Sequence, residues 1–127
     1  MEDIARFLHE HPPFSLLPFD QVRRVTELIQ IEYFVDPHNR HAFLRAVSAV
    51  EGVRRRNGAS SWRIFRDLED EGRYVERFVI KSWAEYTRQR ARMTIAERDL
   101  QAKVVALHRE GIPIRISRLI GVEPFDA

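Results

Sequence analysis

Residues 57–85 constrain the fold of this chain more than any other stretch of its sequence. Glycine readily adopts the left-handed conformation that ends a helix, aromatic and β-branched runs are typical of strands, and Ser-x-x-Glu forms a capping box that begins a helix. In order, the stretch contains Asn57-Gly58, the run Trp62–Leu68, the turn residues Glu69–Gly72, the run Tyr74–Ser82 and the sequence Ser82-Trp83-Ala84-Glu85. It therefore predicts the end of a helix, a β-hairpin and the start of a second helix.

The residues before this stretch predict a strand followed by a helix. Asp36 can cap that helix, with Pro37 at its first position. The strand alternates Ile29, Ile31, Tyr33 and Val35 with Gln30, Glu32 and Phe34, and the helix carries an apolar stripe of Phe43, Ala46, Val47, Val50 and Val53. The two periodicities are those of a half-buried strand and an amphipathic helix.

The residues after the stretch predict another helix and a last strand. Thr94-x-x-Glu97 is a second capping box, and Gly111 marks the predicted helix end. The helix has an apolar face of Leu100, Val104 and Leu107, and the strand alternates Ile112, Ile114 and Ile116 with Pro113, Arg115 and Ser117. The predicted order from residue 29 is β-α-β-β-α-β. This is the ferredoxin-like α+β arrangement, in which helices cover one sheet face and the other face needs a cover.

The first 28 residues predict a helical extension. Asp3–His9 suit a short helix stopped by His11-Pro12-Pro13, and Pro18 suits the start of a second helix with Val22, Val25, Thr26 and Ile29 at helical spacing. Residues 1–30 resemble the helical lead-in of bacterial cyclic-nucleotide-binding modules, but the ligand loop of that family does not follow. We predict a helical extension over 1–28, a ferredoxin-like domain over 29–120 and a C-terminal tail over 121–127.

Composition limits the classes of function. The 127 residues, 44% hydrophobic and 31% charged, suit one globular domain. The 21 basic and 19 acidic residues are interspersed, which does not predict nucleic-acid binding. Because there is no cysteine, disulfides and thiolate metal ligands are excluded. No apolar run approaches the roughly 18 residues of a membrane span, and the start Met-Glu-Asp is unlike a signal peptide, so we expect a cytoplasmic location.

A family resemblance extends from about residue 30 to residue 120. It is carried by Glu32-Tyr33-Phe34-Val35-Asp36, Phe43-Leu44, Arg55-Arg56, Gly58-Ala59, Trp62, Asp67, Glu76-Arg77-Phe78-Val79, Ser82-Trp83-Ala84-Glu85, Arg88-Gln89, Arg92-Met93-Thr94 and Asp99. This pattern resembles the soluble C-terminal domain of bacterial major facilitator permeases of the transmembrane secretion effector, or enterobactin-exporter-like, group. That domain is itself similar to dimeric α+β barrel proteins, including antibiotic biosynthesis monooxygenases. The resemblance implies a homodimer with pockets between sheet and helices, and without membrane helices we expect no transport by this chain alone.

The resemblance also indicates a candidate pocket that could take a small apolar or aromatic ligand. Its residues are Tyr33, Trp62, Trp83, Glu85, Tyr86 and Arg88. Where the family pattern reads Ser-Trp-x-Glu-His-x-Arg-Gln-His, this chain has Tyr86 and Arg90 in place of the two histidines. Because a neutral imidazole could ligate iron or move a proton near neutral pH, its loss argues against haem chemistry. We predict no cofactor, no metal and no confident catalytic residue.

Each candidate residue also has a structural interpretation. Trp62 and Trp83 suit a core or dimer interface, and Glu85 suits a cap. Arg88 and Arg92 suit ion pairs with Glu85. Arg54-Arg55-Arg56 suit the C-terminal end of a helix, where cations interact favourably with the helix dipole. Asp67 and Glu76 suit ion pairs with nearby arginines. Of His9, His11, His38, His41 and His108, only His38 and His41 have a spacing that could share a metal, and no third ligand is placed beside them.

Three functions therefore remain open. The first is a non-catalytic, dimeric accessory or interaction module related to the soluble domain of efflux permeases. The second is a cofactor-independent monooxygenase acting on a small aromatic substrate, which requires a closed apolar cavity reaching Trp62, Trp83 and Tyr86. The third is a regulatory sensor that uses the N-terminal helices.

Overall fold

The computed structural model describes residues 26–122 and residue 124, which form a four-stranded sheet with three α-helices. In chain order the elements are β1 (Glu27–Phe34), a 3-10 turn (Pro37–Asn39), α1 (Arg40–Arg56), β2 (Ser60–Arg66), β3 (Arg73–Ile80), α2 (Trp83–Arg90), α3 (Ile95–Leu107) and β4 (Arg115–Ile120). This order confirms the predicted ferredoxin-like α+β fold. The second helical segment is divided into α2 and α3.

The sheet is antiparallel, with the strand order β2-β3-β1-β4. Ile31 at its centre pairs with Glu76 of β3 and with Ile116 of β4, and Glu76 also pairs with Ile64 of β2. Directly paired residues face the same side of a sheet. These four side chains therefore cross the inner face in one row, and a glutamate occupies a central position of that row.

All three helices pack on this inner face. Phe43, Val47 and Val50 of α1 join Tyr86 of α2 and Val104 of α3 in one buried cluster with the inward residues of β1 and β3. The alternation predicted for Ile29, Ile31, Tyr33 and Val35 is confirmed, since all four are buried. The opposite face carries Glu32, Phe65 and Val75, and we call it the open face.

The predicted helix boundaries are confirmed at three positions. Asp36 accepts a hydrogen bond from the His38 amide and begins the 3-10 turn that leads into α1. Gly58, at φ 98°, follows α1 in the left-handed conformation. Thr94 and Glu97 form the complete reciprocal capping box of α3. At α2, Ser82 caps the Glu85 amide, whereas the Glu85 carboxylate bonds elsewhere.

Both strands of the hairpin are shifted at both ends. The predicted strands Trp62–Leu68 and Tyr74–Ser82 are found at Ser60–Arg66 and Arg73–Ile80. Strand β2 ends at Arg66 rather than Leu68 because Asp67 accepts hydrogen bonds from the Glu69 and Asp70 amides and closes the hairpin turn. Side-chain bonds of this kind compete with the ladder for backbone donors.

The predictions for the last helix and strand were wrong at their boundaries. Helix α3 ends at Leu107 rather than near Gly111, and β4 is Arg115–Ile120 rather than residues 112–117. The physical reason is His108, whose backbone forms a bridge with Val35 and whose ring accepts a hydrogen bond from the Phe34 amide. These contacts turn the chain away from the helix before the glycine is reached.

The predicted N-terminal helix through Ile29 was also wrong at its end. Residues 27–29 belong to β1, where Glu27, Leu28 and Ile29 pair with Ile80, Val79 and Phe78. Residues 1–25 of the predicted extension, and most of the predicted tail over 121–127, lie outside the described residues. Within the described part of the chain, no helix combines the length and the apolar character needed to cross a bilayer.

The capping box of α3 predicts an acid-sensitive contribution to stability. The pKa of Glu97 is lowered below its ordinary value of 4.5. The largest cause is the hydrogen bond from the Thr94 amide, and the charge of Arg56 lowers it further. A carboxyl with a lowered folded pKa stabilises the fold above its unfolded pKa, and that stability is lost as the pH falls through the folded pKa.

We expect Glu97→Gln, which can retain the capping geometry, to reduce the loss of stability between pH 5 and pH 3. Urea unfolding midpoints at both pH values measure this difference. Glu110→Gln, at an exposed position after α3, controls for replacing a carboxylate by an amide. An unchanged pH dependence in Glu97→Gln would contradict this role of the capping box.

Candidate functional site

A fully buried carboxylate lies at the centre of the inner face. Glu76 of β3 has 0% of its surface exposed. It accepts hydrogen bonds from Tyr33 Oη at 2.8 Å, Arg54 Nε at 2.8 Å, Arg54 Nη2 at 3.3 Å and Trp62 Nε1 at 2.9 Å. The donors come from β1, α1 and β2. The network therefore ties three elements to β3 through one side chain.

Arg54 compensates the charge of Glu76. Its Nη1 donates to Tyr86 Oη at 3.3 Å, and its guanidinium carbon lies 5.2 Å from the centre of the Phe78 ring. Burial lowers the pKa of Arg54, but the neighbouring Glu76 carboxylate outweighs this effect and raises the pKa above its usual value. The helix-dipole interpretation of Arg54 was therefore incomplete, because its cation pairs with an acid inside the fold. Arg55 and Arg56 pair with Glu51 and Glu97.

Tyr33 is held as a hydrogen-bond donor. Burial, followed by the charge of Glu76, raises the pKa of its hydroxyl far above its ordinary value of 10.0. The phenol therefore keeps its proton at physiological pH and donates a hydrogen bond to the carboxylate. In this state Tyr33 cannot act as a base, and its hydroxyl stabilises the buried carboxylate.

A mainly apolar cavity of about 240 Å³ lies beside this network, between the sheet and the helices. It is lined by Ile29, Ile31, Tyr33, Val50, Arg54, Trp83, Tyr86, Arg90, Gln101, Val104, Val105, Ile114 and Ile116. We call this space the inner cavity. Aromatic rings from β1 and α2 and aliphatic side chains from the sheet, α1 and α3 form its walls. The lining residues that carry polar groups are Arg54, Arg90, Gln101, the two tyrosines and Trp83.

Trp83 is positioned at the cavity by contacts on several sides. Its ring stacks on Tyr86 with centroids 5.9 Å apart, and the guanidinium carbon of Arg118 lies 4.2 Å from its ring centroid. Its backbone amide donates to Glu27 Oε2 at 2.9 Å. Glu27 also lies 3.5 Å from Arg118, so strands β1 and β4 together hold the first residue of α2. This arrangement gives the cavity a rigid aromatic wall.

The six predicted pocket residues separate into three groups. Tyr33, Trp83 and Tyr86 line the inner cavity. Trp62 contacts the network through its indole N–H but is not among the residues lining this cavity. Glu85 and Arg88 form an ion pair with each other at 3.0 Å, and neither lines the cavity. The predicted pairing of Arg88 with Glu85 is confirmed.

The sequence analysis did not identify Arg54 and Gln101 as cavity residues or Arg54 as the partner of Glu76. A signal for Glu76 was present, because Tyr74, Glu76, Phe78 and Ile80 alternate along one strand. This period places the glutamate on the same face as three large apolar side chains, where a charge needs a partner. No comparable signal selected Arg54 from its neighbours Arg55 and Arg56.

A second charged cluster supports the hairpin. Arg73 donates to Glu32 Oε1 at 2.9 Å through Nη2 and to Asp67 Oδ2 at 3.0 Å through Nη1. The amide of Glu69, together with Arg73, lowers the pKa of Asp67. The predicted pairing of Asp67 and Glu76 with nearby arginines is thus confirmed. Within residues 26–122, no group of three histidine, aspartate or glutamate side chains could hold a metal ion.

Solved structures define the class of fold. The chain is similar to a conserved protein from Methanosarcina mazei (TM-score 0.65, 9% identity, covering 80% of this chain and 97% of that one). It is also similar to SnoaB, a cofactor-independent oxygenase from Streptomyces nogalater, in a variant form (0.64, 12%, 80% and 98%). A third is a protein from Nitrosomonas europaea assigned to the antibiotic biosynthesis monooxygenases (0.63, 17%, 78% and 92%). These likenesses show the ferredoxin-like fold of that class.

The family follows from the sequence match. A family model described as transmembrane secretion effector matches residues 2–124, and the chain belongs to this family. No curated protein matches the chain. The family match includes residues 2–30, and none of the comparisons supports the resemblance of residues 1–30 to cyclic-nucleotide-binding modules.

The Glu76 network predicts strong coupling between its two charged members. Glu76→Leu leaves the Arg54 cation buried without its partner, so we expect a loss of about 3–5 kcal/mol in the free energy of unfolding. In Arg54→Leu/Glu76→Leu both charges are removed, and we expect this double variant to be more stable than Glu76→Leu alone. Chemical denaturation measures all three proteins.

The control is Glu51→Gln, which disrupts the exposed ion pair with Arg55 in the same helix. We expect it to change the free energy of unfolding by less than about 1 kcal/mol. A double variant that is less stable than Glu76→Leu would show that the packing of the Arg54 side chain, rather than its charge, dominates at this position.

Proposed function

We propose that the protein is a non-catalytic, homodimeric interaction module related to the soluble domain of efflux permeases. The observation that carries this proposal is the open face of the sheet. The three helices of the described chain all pack on the inner face, so the open face is available to a partner. A second copy of this chain is the occupant we propose.

The chemistry of the open face suits self-association. Phe65 and Leu119 are 42% and 45% exposed, while Leu28, Phe34 and Val79 are half-buried on the same side. The Phe65 ring lies within 5.8 Å of the guanidinium carbons of Arg63 and Arg77. Aromatic and arginine side chains are enriched at protein interfaces, and exposed apolar side chains favour association.

The interior supports a structural rather than a catalytic role. Glu76, a fully buried carboxylate, accepts hydrogen bonds from Tyr33, Arg54 and Trp62. The Tyr33 hydroxyl donates to Glu76, and the Tyr86 hydroxyl accepts from Arg54. A general base must reach a substrate proton, and these groups are occupied in holding five elements together.

Family membership supports a link with secretion. We infer that the homodimer works in the cytoplasm as an accessory of permease-type transport, in which other polypeptide segments supply the membrane-spanning part. In such a module the open face provides the self-association surface, and the helical face remains available for other contacts.

The dimer proposal predicts a charge-sensitive interface. We expect the wild-type chain to elute as a dimer at 10 μM, and Phe65→Glu to elute as a folded monomer because it replaces an aromatic ring of the proposed interface by a charged group that would have to be desolvated. Size-exclusion chromatography with light scattering measures the mass, and circular dichroism checks the fold.

Leu68→Glu is the matched control, because Leu68 is 94% exposed in the hairpin turn beyond the end of β2. We expect this variant to remain dimeric. A monomeric wild-type protein, or a Phe65→Glu variant that stays dimeric, would remove the support for the open face as the interface.

A second candidate function is oxygenation of a small aromatic molecule without a cofactor. The observation that favours it is the inner cavity, where Tyr33, Trp83 and Tyr86 provide aromatic walls. SnoaB, which shares the fold, is described as a cofactor-independent oxygenase. The engaged Glu76 and tyrosine hydroxyls argue for the non-catalytic alternative.

Oxygen consumption separates the two candidate functions. With a panel of hydroxylated naphthalenes and anthracenes, we expect no uptake above that of the buffer at pH 7.5. Uptake proportional to protein concentration, and lost when Val104→Trp fills the cavity, would instead support the oxygenase. A folded Val104→Trp protein is required for this comparison, which circular dichroism verifies.

A further inference from the structure

The inner cavity is lined by a cation and an amide donor that lack partners among the described residues. Arg90, the last residue of α2, is exposed to solvent where it lines the cavity, and its side chain makes no ion pair or hydrogen bond with the described residues. Gln101 of α3 lines the same cavity, and its Nε2 is buried without a hydrogen-bond partner in residues 26–122. Buried amide donors are nearly always satisfied, so an unpaired one needs an explanation.

The other polar groups of the cavity do not provide that partner. Arg54 is neutralised by Glu76, and the Tyr86 hydroxyl accepts from Arg54. The Tyr33 hydroxyl donates a hydrogen bond to Glu76. The inner cavity therefore has one solvent-exposed cation, Arg90, without a partner among the described residues, and one buried donor, on Gln101, that is unsatisfied among them. A hydrogen-bond acceptor that carries negative charge would satisfy both groups.

The remaining walls require an apolar body. Ile29, Ile31, Val50, Val104 and Ile114 contribute aliphatic surface, and Trp83 contributes a fixed aromatic ring. The volume of about 240 Å³ is below the range of about 300–1,000 Å³ that is usual for drug-sized ligands. The ligand must therefore be small, with most of its surface apolar.

We propose that the inner cavity binds a small amphiphilic carboxylate. The apolar body lies between the sheet and the helices, the carboxylate pairs with the Arg90 guanidinium, and the Gln101 amide donates a hydrogen bond to it. The Arg90 guanidinium is permanently charged and can donate two hydrogen bonds to one carboxylate, so it is suited to this role. This site lies on the inner face, opposite the proposed dimer surface, so the two proposals can fail separately.

An isosteric series tests the head group. Isothermal titration calorimetry on the full chain at pH 7 compares 2-naphthoate, 2-naphthylmethanol and 2-naphthylmethylammonium. We expect 2-naphthoate to bind at least about tenfold more tightly than the alcohol, and the ammonium compound to bind most weakly. Equal affinity for the acid and the alcohol, or no binding of any of the three, would overturn the proposal.

Variants assign the preference to the two side chains. We expect Arg90→Gln to weaken 2-naphthoate binding by about tenfold while leaving the affinity for the alcohol unchanged. Because the Arg90 side chain is exposed and unpaired among the described residues, we expect Arg90→Gln to fold like the wild type, and an unchanged melting temperature of the variant verifies this. Gln101→Met, which keeps the side-chain length without the amide, is expected to weaken naphthoate binding by a smaller factor.

Arg88→Gln is the matched control, because Arg88 lies on the same helix and pairs with Glu85 away from the cavity. We expect it to bind 2-naphthoate like the wild type. If Arg88→Gln and Arg90→Gln weaken binding equally, the effect arises from the general charge of α2, and the assignment of the carboxylate to the inner cavity is wrong.

Discussion

The ion pair between Arg54 and Glu76 is the interaction on which the rest of the structure depends. It places two charges where a small α+β domain would otherwise have only apolar packing, and it becomes tolerable because Tyr33 and Trp62 also donate to the carboxylate. The pair therefore requires that β1, α1 and β2 adopt one position relative to β3. A shift of any of these elements would leave a buried charge without its hydrogen bonds.

The network lies on the inner face of the sheet, and the open face lies on the other side. On its helical side, Tyr33, Arg54 and Tyr86 are shared between the network and the inner cavity, so the cavity wall is as rigid as the core. On the other side of the sheet, Phe65 and Leu119 remain exposed. One face thus borders the partly open inner cavity, and the other carries the surface that we propose for association. The sheet separates the two.

Much of the architecture could be predicted from local signals. The alternation at Ile29–Val35, the glycine after α1 and the Thr94 capping box each have a local physical cause, and each was found where it was expected. The errors occurred where a distant residue ended an element. Helix α3 stops before Gly111 because His108 bonds to β1, which lies 74 residues earlier in the chain. The candidate site was predicted less completely, since Tyr33, Trp83 and Tyr86 line the cavity whereas Glu85 and Arg88 form a separate surface pair.

Periodicity, turn residues and capping boxes were sufficient for the strand and helix order and for the inward face of each strand. These features depend on neighbours a few residues apart, so the linear sequence contains them. The roles of the charged residues depended instead on packing across the sheet. Residues 54–56 are all arginines, yet only Arg54 lies between α1 and β3 and pairs with Glu76. The pairing of Arg54 with Glu76, like the convergence of Arg90 and Gln101 on one cavity, arises only when helices and strands are brought together in space.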